Sequence, residues 1–153
     1  MTITRTQKSR YAKPVTALAR MAGCLCLLAS HMVFADIAII VSAKNPVTSL
    51  TQEQVKRIFL GKIGTFPNLQ PATPIDGPRG GVRDRFYLQA AQKNPVQMKA
   101  YWSQQMFTGG ASTPKTLDND QAVIAAISQD TSAIGYVATP VDAPGVKTVL
   151  LLP

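Results

Sequence analysis

Residues 79–86 read Arg-Gly-Gly-Val-Arg-Asp-Arg-Phe and carry the side chains best suited to chemistry in this chain. The glycine pair ends a loop, a helix is predicted from about Gly81, and three arginines crowd its approach and first turns. The first N–H groups of a helix lack intrahelical partners and form the positive end of its dipole. Guanidinium groups beside them make a cradle for a small oxyanion. The candidate anion-binding residues are Arg79, Gly80, Gly81, Val82 and Arg83. Arg79 and Arg83, four apart, share a face if the helix reaches back to residue 79, whereas Arg85 points elsewhere. Arginines at this end oppose the dipole by about a few tenths of a kcal/mol each, a mild conflict that argues for a role. The competing reading is a solvated helix start in which Asp84 pairs locally.

Other candidates are weaker. Lys44-Asn45 follows the first predicted strand, where open α/β sheets bind ligands, but an ordinary solvated loop explains it better. Residues 108–112, Thr-Gly-Gly-Ala-Ser, can present backbone N–H groups, yet a glycine helix stop accounts for them equally. Tyr101, Trp102 and Met106 read as core. Asp76 and Asp84 are eight apart, and nothing marks them as an acid–base pair.

The elements that position these residues begin after a leader. Residues 1–20 hold Arg5, Lys8, Arg10, Lys13 and Arg20 and no acid. The apolar run from residue 21 to 34 is shorter than the roughly 20 residues a membrane span needs. Small residues at Val33 and Ala35 flank Phe34, and Asp36 follows. This three-part pattern predicts a signal peptide over residues 1–35 and a mature domain over 36–153, with lipidation at Cys24 a lesser alternative. Both cysteines, Cys24 and Cys26, and the one histidine, His31, lie in the leader. Removing the five leader cations from the 16 Lys and Arg leaves 11 against 8 Asp and Glu, a net charge of +3 rather than +8. Nucleic-acid binding loses its electrostatic support. A mature domain without cysteine or histidine has no disulfide, no zinc site of the usual kinds, and no Ser-His-Asp or Cys-His nucleophile. A non-enzyme without cofactor or metal is expected.

The 118 residues from 36 to 153 suit one domain. Ile-Ala-Ile-Ile-Val at 37–41 predicts a buried strand. Thr51 with Gln54 makes a capping box for a helix whose apolar face is Val55, Ile58 and Phe59, and Gly61 stops it. Residues 73–76 predict a second strand. The arginine-bearing helix follows over residues 81–92, with Val82, Phe86 and Ala90 as its inward stripe. Asn94-Pro95 opens another helix with Met98, Trp102 and Met106 on one side. A fourth starts near Asp118, which has capping-box spacing to Gln121, and uses Val123, Ile124 and Ile127. Residues 133–137 and 146–152 predict two final strands, and Gly135 suggests a close backbone approach. The order β-α-β-α-α-α-β-β implies an α/β domain, a mixed sheet flanked by about four helices.

Several segments together resemble the phosphate-type periplasmic substrate-binding proteins. Leu-Thr-Gln-Glu-Gln-Val-Lys-Arg-Ile-Phe-Leu-Gly-Lys at 50–62 is similar to their Leu-x-x-x-x-hydrophobic-x-x-Ile-Phe-x-Gly-Lys helix. Residues 80–86 stand where the family often shows Ser-Gly-Thr-Arg-x-x-Phe, with Gly80 for Ser and Val82 for Thr. Ala-Ile-Gly-Tyr at 133–136 resembles a family strand, and Tyr101-Trp102 with Phe107-Thr108-Gly109 is similar to its short members. The resemblance implies a single lobe of the type 2 periplasmic binding-protein-like fold. It also implies a periplasmic location, recognition of phosphate or a related oxyanion, and an inner-membrane ABC transporter or sensor as partner. An alternative is an exported interaction or sensory module that kept the fold without a ligand. Two arginines and a few amide donors, at about 1.5–3 kcal/mol per charge-assisted bond, must offset an association cost of at least about 4 kcal/mol. Affinity of roughly millimolar to micromolar follows. Tighter capture needs a second wall, from a homodimer or another protein.

Overall fold

The computed structural model describes residues 35–153, so the predicted leader, Ala35 apart, lies outside the described residues. Nine elements follow in order. They are β1 (Ile37–Ser42), α1 (Gln52–Phe59), β2 (Thr73–Asp76), α2 (Gly81–Ala91), α3 (Pro95–Phe107), β3 (Lys115–Thr116), α4 (Asp120–Gln129), β4 (Ala133–Ala138) and β5 (Val146–Leu152). The strands form one mixed sheet ordered β3-β2-β4-β1-β5. β2 runs parallel to β3 and β4, and β1 runs antiparallel to both its neighbours, β4 and β5. The expected mixed sheet with four helices is therefore present, with one short strand, β3, that apolar patterning did not reveal. Its two residues, Lys115 and Thr116, are both exposed.

Every residue of β1 is buried because it is sandwiched on both faces. Ile37, Ile39 and Val41 face a core built with α1, α2 and α3, including Val55, Phe59, Phe86 and Trp102. Ala38 and Ile40 face the opposite core, where Val123 and Ile127 of α4 pack. This two-sided burial explains why β1 reads as an unbroken apolar run rather than an alternating one. Gly135 of β4 belongs to the second contact: a Cβ there would lie 2.5 Å from Ile127 Cδ1 and 3.0 Å from Val123 Cγ1. The close approach at Gly135 is thus chiefly by side chains of α4 rather than by backbone.

Local chemistry sets the helix ends. Thr51 Oγ1 accepts from Gln54 N while Gln54 Oε1 accepts from Thr51 N, the reciprocal capping box. Asn94 and Gln97 repeat it at α3. At α4 the cap is Asn119, whose Oδ1 accepts from Ala122 N, not Asp118. The expected Asp118–Gln121 spacing sits one residue too early. Gly61, at φ +65°, closes α1 in the left-handed region.

The inward stripes differ from expectation in two places. On α2 the buried residues are Phe86, Tyr87, Ala90 and Ala91, with Val82 only half-buried. On α3, Met98 and Trp102 are buried, but Met106 is 70% exposed and Phe107 93% exposed. The helix runs past the edge of the core before Thr108 ends it, so its last turn faces solvent.

Candidate functional site

The loop that follows β2 carries the site. β2 ends at Asp76, and Gly77, Pro78, Arg79 and Gly80 turn the chain into α2. This is the carboxyl end of a strand that runs parallel to its sheet neighbours, the usual position for ligands in open α/β sheets. Gly80 is the N-cap of α2 at φ +104°, a backbone conformation that favours glycine, and it offers no side-chain hydrogen bond. The first N–H groups of α2 are therefore not satisfied by a capping side chain, while Asp84 N already bonds the Gly80 carbonyl.

Beneath this turn lies a charged cluster centred on Asp76, which is 1% exposed. Its Oδ2 accepts from Arg83 Nε at 2.9 Å. Its Oδ1 accepts from Tyr136 Oη at 2.8 Å and Tyr87 Oη at 3.0 Å. Gly77 N donates to Tyr136 Oη at 3.3 Å, so that hydroxyl both donates and accepts. The Arg83 guanidinium lies over the Tyr87 ring at 5.0 Å from its centroid. The aromatic base is continuous, because Phe86 stacks on Tyr136 at 4.0 Å and Phe59 meets Phe86 edge-on at 4.7 Å.

The electrostatics follow from this packing. Burial works against the Arg83 charge, but attraction and the hydrogen bond to Asp76 outweigh it, so its pKa is raised. Burial, then the neighbouring Asp76 charge, pushes the Tyr87 and Tyr136 hydroxyls well above their ordinary range. Both tyrosines stay protonated and act as donors to Asp76. The cluster is a fully bonded carboxylate with one guanidinium counter-charge.

The predicted anion residues divide around it. Arg79, Gly80 and Arg83 line a cavity of about 490 Å³ between the start of α2 and one side of α3, with Asp84, Met98, Lys99, Trp102 and Met106 among its other walls. Gly81 and Val82 form the first turn of α2. The helix begins at Gly81, so Arg79 is a loop residue, yet it still meets Arg83 at one cavity. Arg83 donates through Nε to Asp76 rather than standing alone, a pairing absent from the sequence expectation. Arg85 turns away, as expected, and donates to the Ala35 carbonyl. Asp84 makes no ion pair among the described residues, so the local pairing considered for it is not observed. Asn45 is buried rather than solvated. Its Oδ1 accepts from Val47 N and its Nδ2 donates to the Thr131 carbonyl, which gives it a structural role.

Asp76 is the residue that sequence reasoning missed. The signal available was an acid at the end of a predicted strand, seven residues before an arginine on the following helix. A larger groove of about 570 Å³ lies between α4 and the β4–β5 connection. Its charged lining residues are Asp120 and Asp142, which repel anions.

No protein-family model matches the chain, and no curated protein matches it in sequence. Solved structures do match its shape. A protein assigned as a phosphate ABC transporter substrate-binding protein from Clostridium perfringens, with bound phosphate, superposes at TM-score 0.61 and 22% identity over 76% of this chain and 44% of that one. An ABC-type phosphate transport receptor from Vibrio cholerae gives TM-score 0.60 and 21% identity over 76% and 46%. A protein described as a possible phosphate binding protein from Planctomyces limnophilus gives 0.51 and 13% over 69% and 37%. The chain therefore has a phosphate-binding-protein-like fold in the form of a single lobe. The matched region spans less than half the length of these structures. Among the described residues, no helix is long and apolar enough to cross a membrane.

Proposed function

We propose that this chain is a non-enzymatic, exported, single-lobe solute-binding protein that takes phosphate or a related oxyanion weakly at the start of α2. The observation that carries this reading is the cavity at an N-terminus with no capping side chain, where Arg79, Arg83 and Lys99 converge. Anions are favoured there by the amide donors, the helix dipole and the guanidinium groups together. Arg83 is partly neutralised by Asp76, so Arg79 and the amides supply most of the unmatched attraction. That keeps affinity in the roughly millimolar to micromolar range for an open half-site. The phosphate transport proteins among its structural neighbours, one of them with phosphate bound, support the choice of ligand. A periplasmic location after removal of residues 1–35, delivery to an inner-membrane ABC transporter or sensor, and a second wall from a homodimer or that partner complete the proposal.

Thermal unfolding with phosphate, sulfate and chloride at matched ionic strength tests it. Phosphate at ten times its dissociation constant stabilises by about 1.4 kcal/mol, which raises Tm by roughly 4–6 °C at this chain length. Arg79→Gln, a change in an exposed loop residue, abolishes most of that rise while leaving the unliganded Tm within about 2 °C. A second reading, an exported interaction module that lost its ligand, is favoured by the internal matching of Arg83 with Asp76. Equal responses to the three salts overturn the binder and leave that module.

A further inference from the structure

The cavity beside α2 is larger than inorganic phosphate alone fills, and one of its walls is apolar. Phosphate occupies about two to three times the share of a water molecule, roughly 60–90 Å³ at about 30 Å³ per water. The cavity measures about 490 Å³, within the roughly 300–1,000 Å³ range of sites for organic ligands. Its walls are also divided by chemistry. Arg79 and Arg83 stand where α2 begins, whereas Met98, Trp102 and Met106 come from α3. Lys99 adds a third cation and Asp84 is the single carboxylate on the wall, so the lining is net positive even with Arg83 matched by the buried Asp76.

A second observation points to an occupant that also carries a hydrogen-bond acceptor, as an ester oxygen is. Trp102 is 94% buried by its 6% exposure, forms part of this wall, and its Nε1–H has no hydrogen-bond partner among the described residues. An unsatisfied buried donor costs about 1–3 kcal/mol, and natural proteins rarely leave one without a reason. Met106 on the same wall is 70% exposed, and a thioether at a cavity mouth is an adaptable contact for apolar groups. With the last turn of α3 beyond the core, this apolar lip has no protein covering it among the described residues.

Resting on the reading that anions bind at the start of α2, we propose that the ligand is a small organic phosphate monoester. Its phosphate lies at Arg79 and the first turn of α2, and its apolar body lies along Met98, Trp102 and Met106. The body supplies the contact area that an open half-site denies to a bare ion, so the ester binds more tightly than phosphate.

Trp102 is the only tryptophan in the chain, which makes its emission a native reporter of this cavity. The test titrates the protein, purified as the cell exports it, with phenyl phosphate, inorganic phosphate and phenol at matched ionic strength. Phenyl phosphate is expected to bind at least tenfold more tightly than inorganic phosphate and to shift Trp102 emission, with no saturable response to phenol. Met106→Ser, at an exposed position, is expected to narrow the gap between the two phosphates to less than threefold without lowering Tm by more than about 2 °C. Binding of inorganic phosphate as tight as that of the ester overturns the inference and leaves the phosphate reading standing. So does a gap that Met106→Ser leaves unchanged, or phenol binding as tight as the ester. Ester binding without measurable phosphate binding supports the inference and removes phosphate as the ligand. No response to either phosphate overturns both.

Discussion

Replacing Arg83 by Met probes the charged cluster, because the variant keeps an unbranched apolar stem and removes the guanidinium that pairs with Asp76 and lies over the Tyr87 ring. Asp76 has 2% side-chain exposure and Arg83 has 19%. Removing one partner of a buried pair costs about 3–5 kcal/mol, since the remaining charge stays buried without its counter-ion. Asp76 retains two tyrosine donors, Tyr87 at 3.0 Å and Tyr136 at 2.8 Å, so the lower end, about 3 kcal/mol, is expected. Urea unfolding followed by Trp102 emission reads this directly. With an m-value near 1.5 kcal/mol/M, the midpoint falls by about 2 M. Asp76→Asn costs less, about 1–2 kcal/mol, because the partly exposed Arg83 reaches water at the cavity. The double variant is expected to be less destabilised than the sum of the singles by about 1.5–3 kcal/mol, the signature of direct coupling. A loss below about 1 kcal/mol for Arg83→Met, or additivity within about 0.5 kcal/mol, would refute the reasoning. The same arithmetic disqualifies Arg83 as a probe of ligand binding, since its loss weakens the scaffold itself; Arg79 serves instead.

Gly135→Ala forces a Cβ to within 2.5 Å of Ile127 Cδ1 and should lower stability by about 1–3 kcal/mol in chemical denaturation, whereas a neutral effect would mean that α4 yields freely. Thr51→Ala removes the α1 cap and should cost about 0.5–2 kcal/mol on the same curve, with no change counting against the capping box. Tyr87, Tyr101 and Tyr136 all have pKa values raised above their ordinary value near 10 by burial, with Asp76 reinforcing Tyr87 and Tyr136. The unfolded chain therefore releases phenolic protons above about pH 10 while the native one holds them, so stability is flat below that pH and falls as pH rises beyond it. The absorbance near 295 nm due to Tyr87 and Tyr136 should then grow together with unfolding, and tyrosinate from more than one residue in the still-folded protein would contradict the buried cluster, since only Tyr101 of the three lies outside it. Mass spectrometry of exported protein should find Asp36 at the N-terminus, and an intact segment 1–35 would reject the predicted leader.

The sequence made the fold legible where local rules dominate. Two-sided burial gave β1 its continuous apolar run, and reciprocal Thr51–Gln54 and Asn94–Gln97 caps marked the starts of α1 and α3. β3 stayed hidden because two exposed residues, Lys115 and Thr116, have no periodicity to read; only pairing with Ile75 and Asp76 makes them a strand. The site was half visible. A glycine pair before three arginines revealed where α2 begins, and Arg79, Gly80 and Arg83 do share a cavity. The partner of Arg83 was only hinted at by an acid at a predicted strand end, since its role comes from tertiary convergence of β2, α2 and β4 around one carboxylate. The exposure of Met106 was equally hidden: spacing placed it with Met98 and Trp102, but periodicity does not reveal where a helix overruns the core it packs on.

The place of β1 between β4 and β5 bears on how the chain matures. Both lateral partners of this first strand are made last, about a hundred residues downstream, from segments 133–138 and 146–152. Pairing at such sequence separation is slow, and the sheet cannot close until residues 146–152 have been made. Until then the most apolar strand of the chain stands without lateral partners, so a nascent polypeptide keeps its hydrophobic centre open while the segments that seal it are still to come.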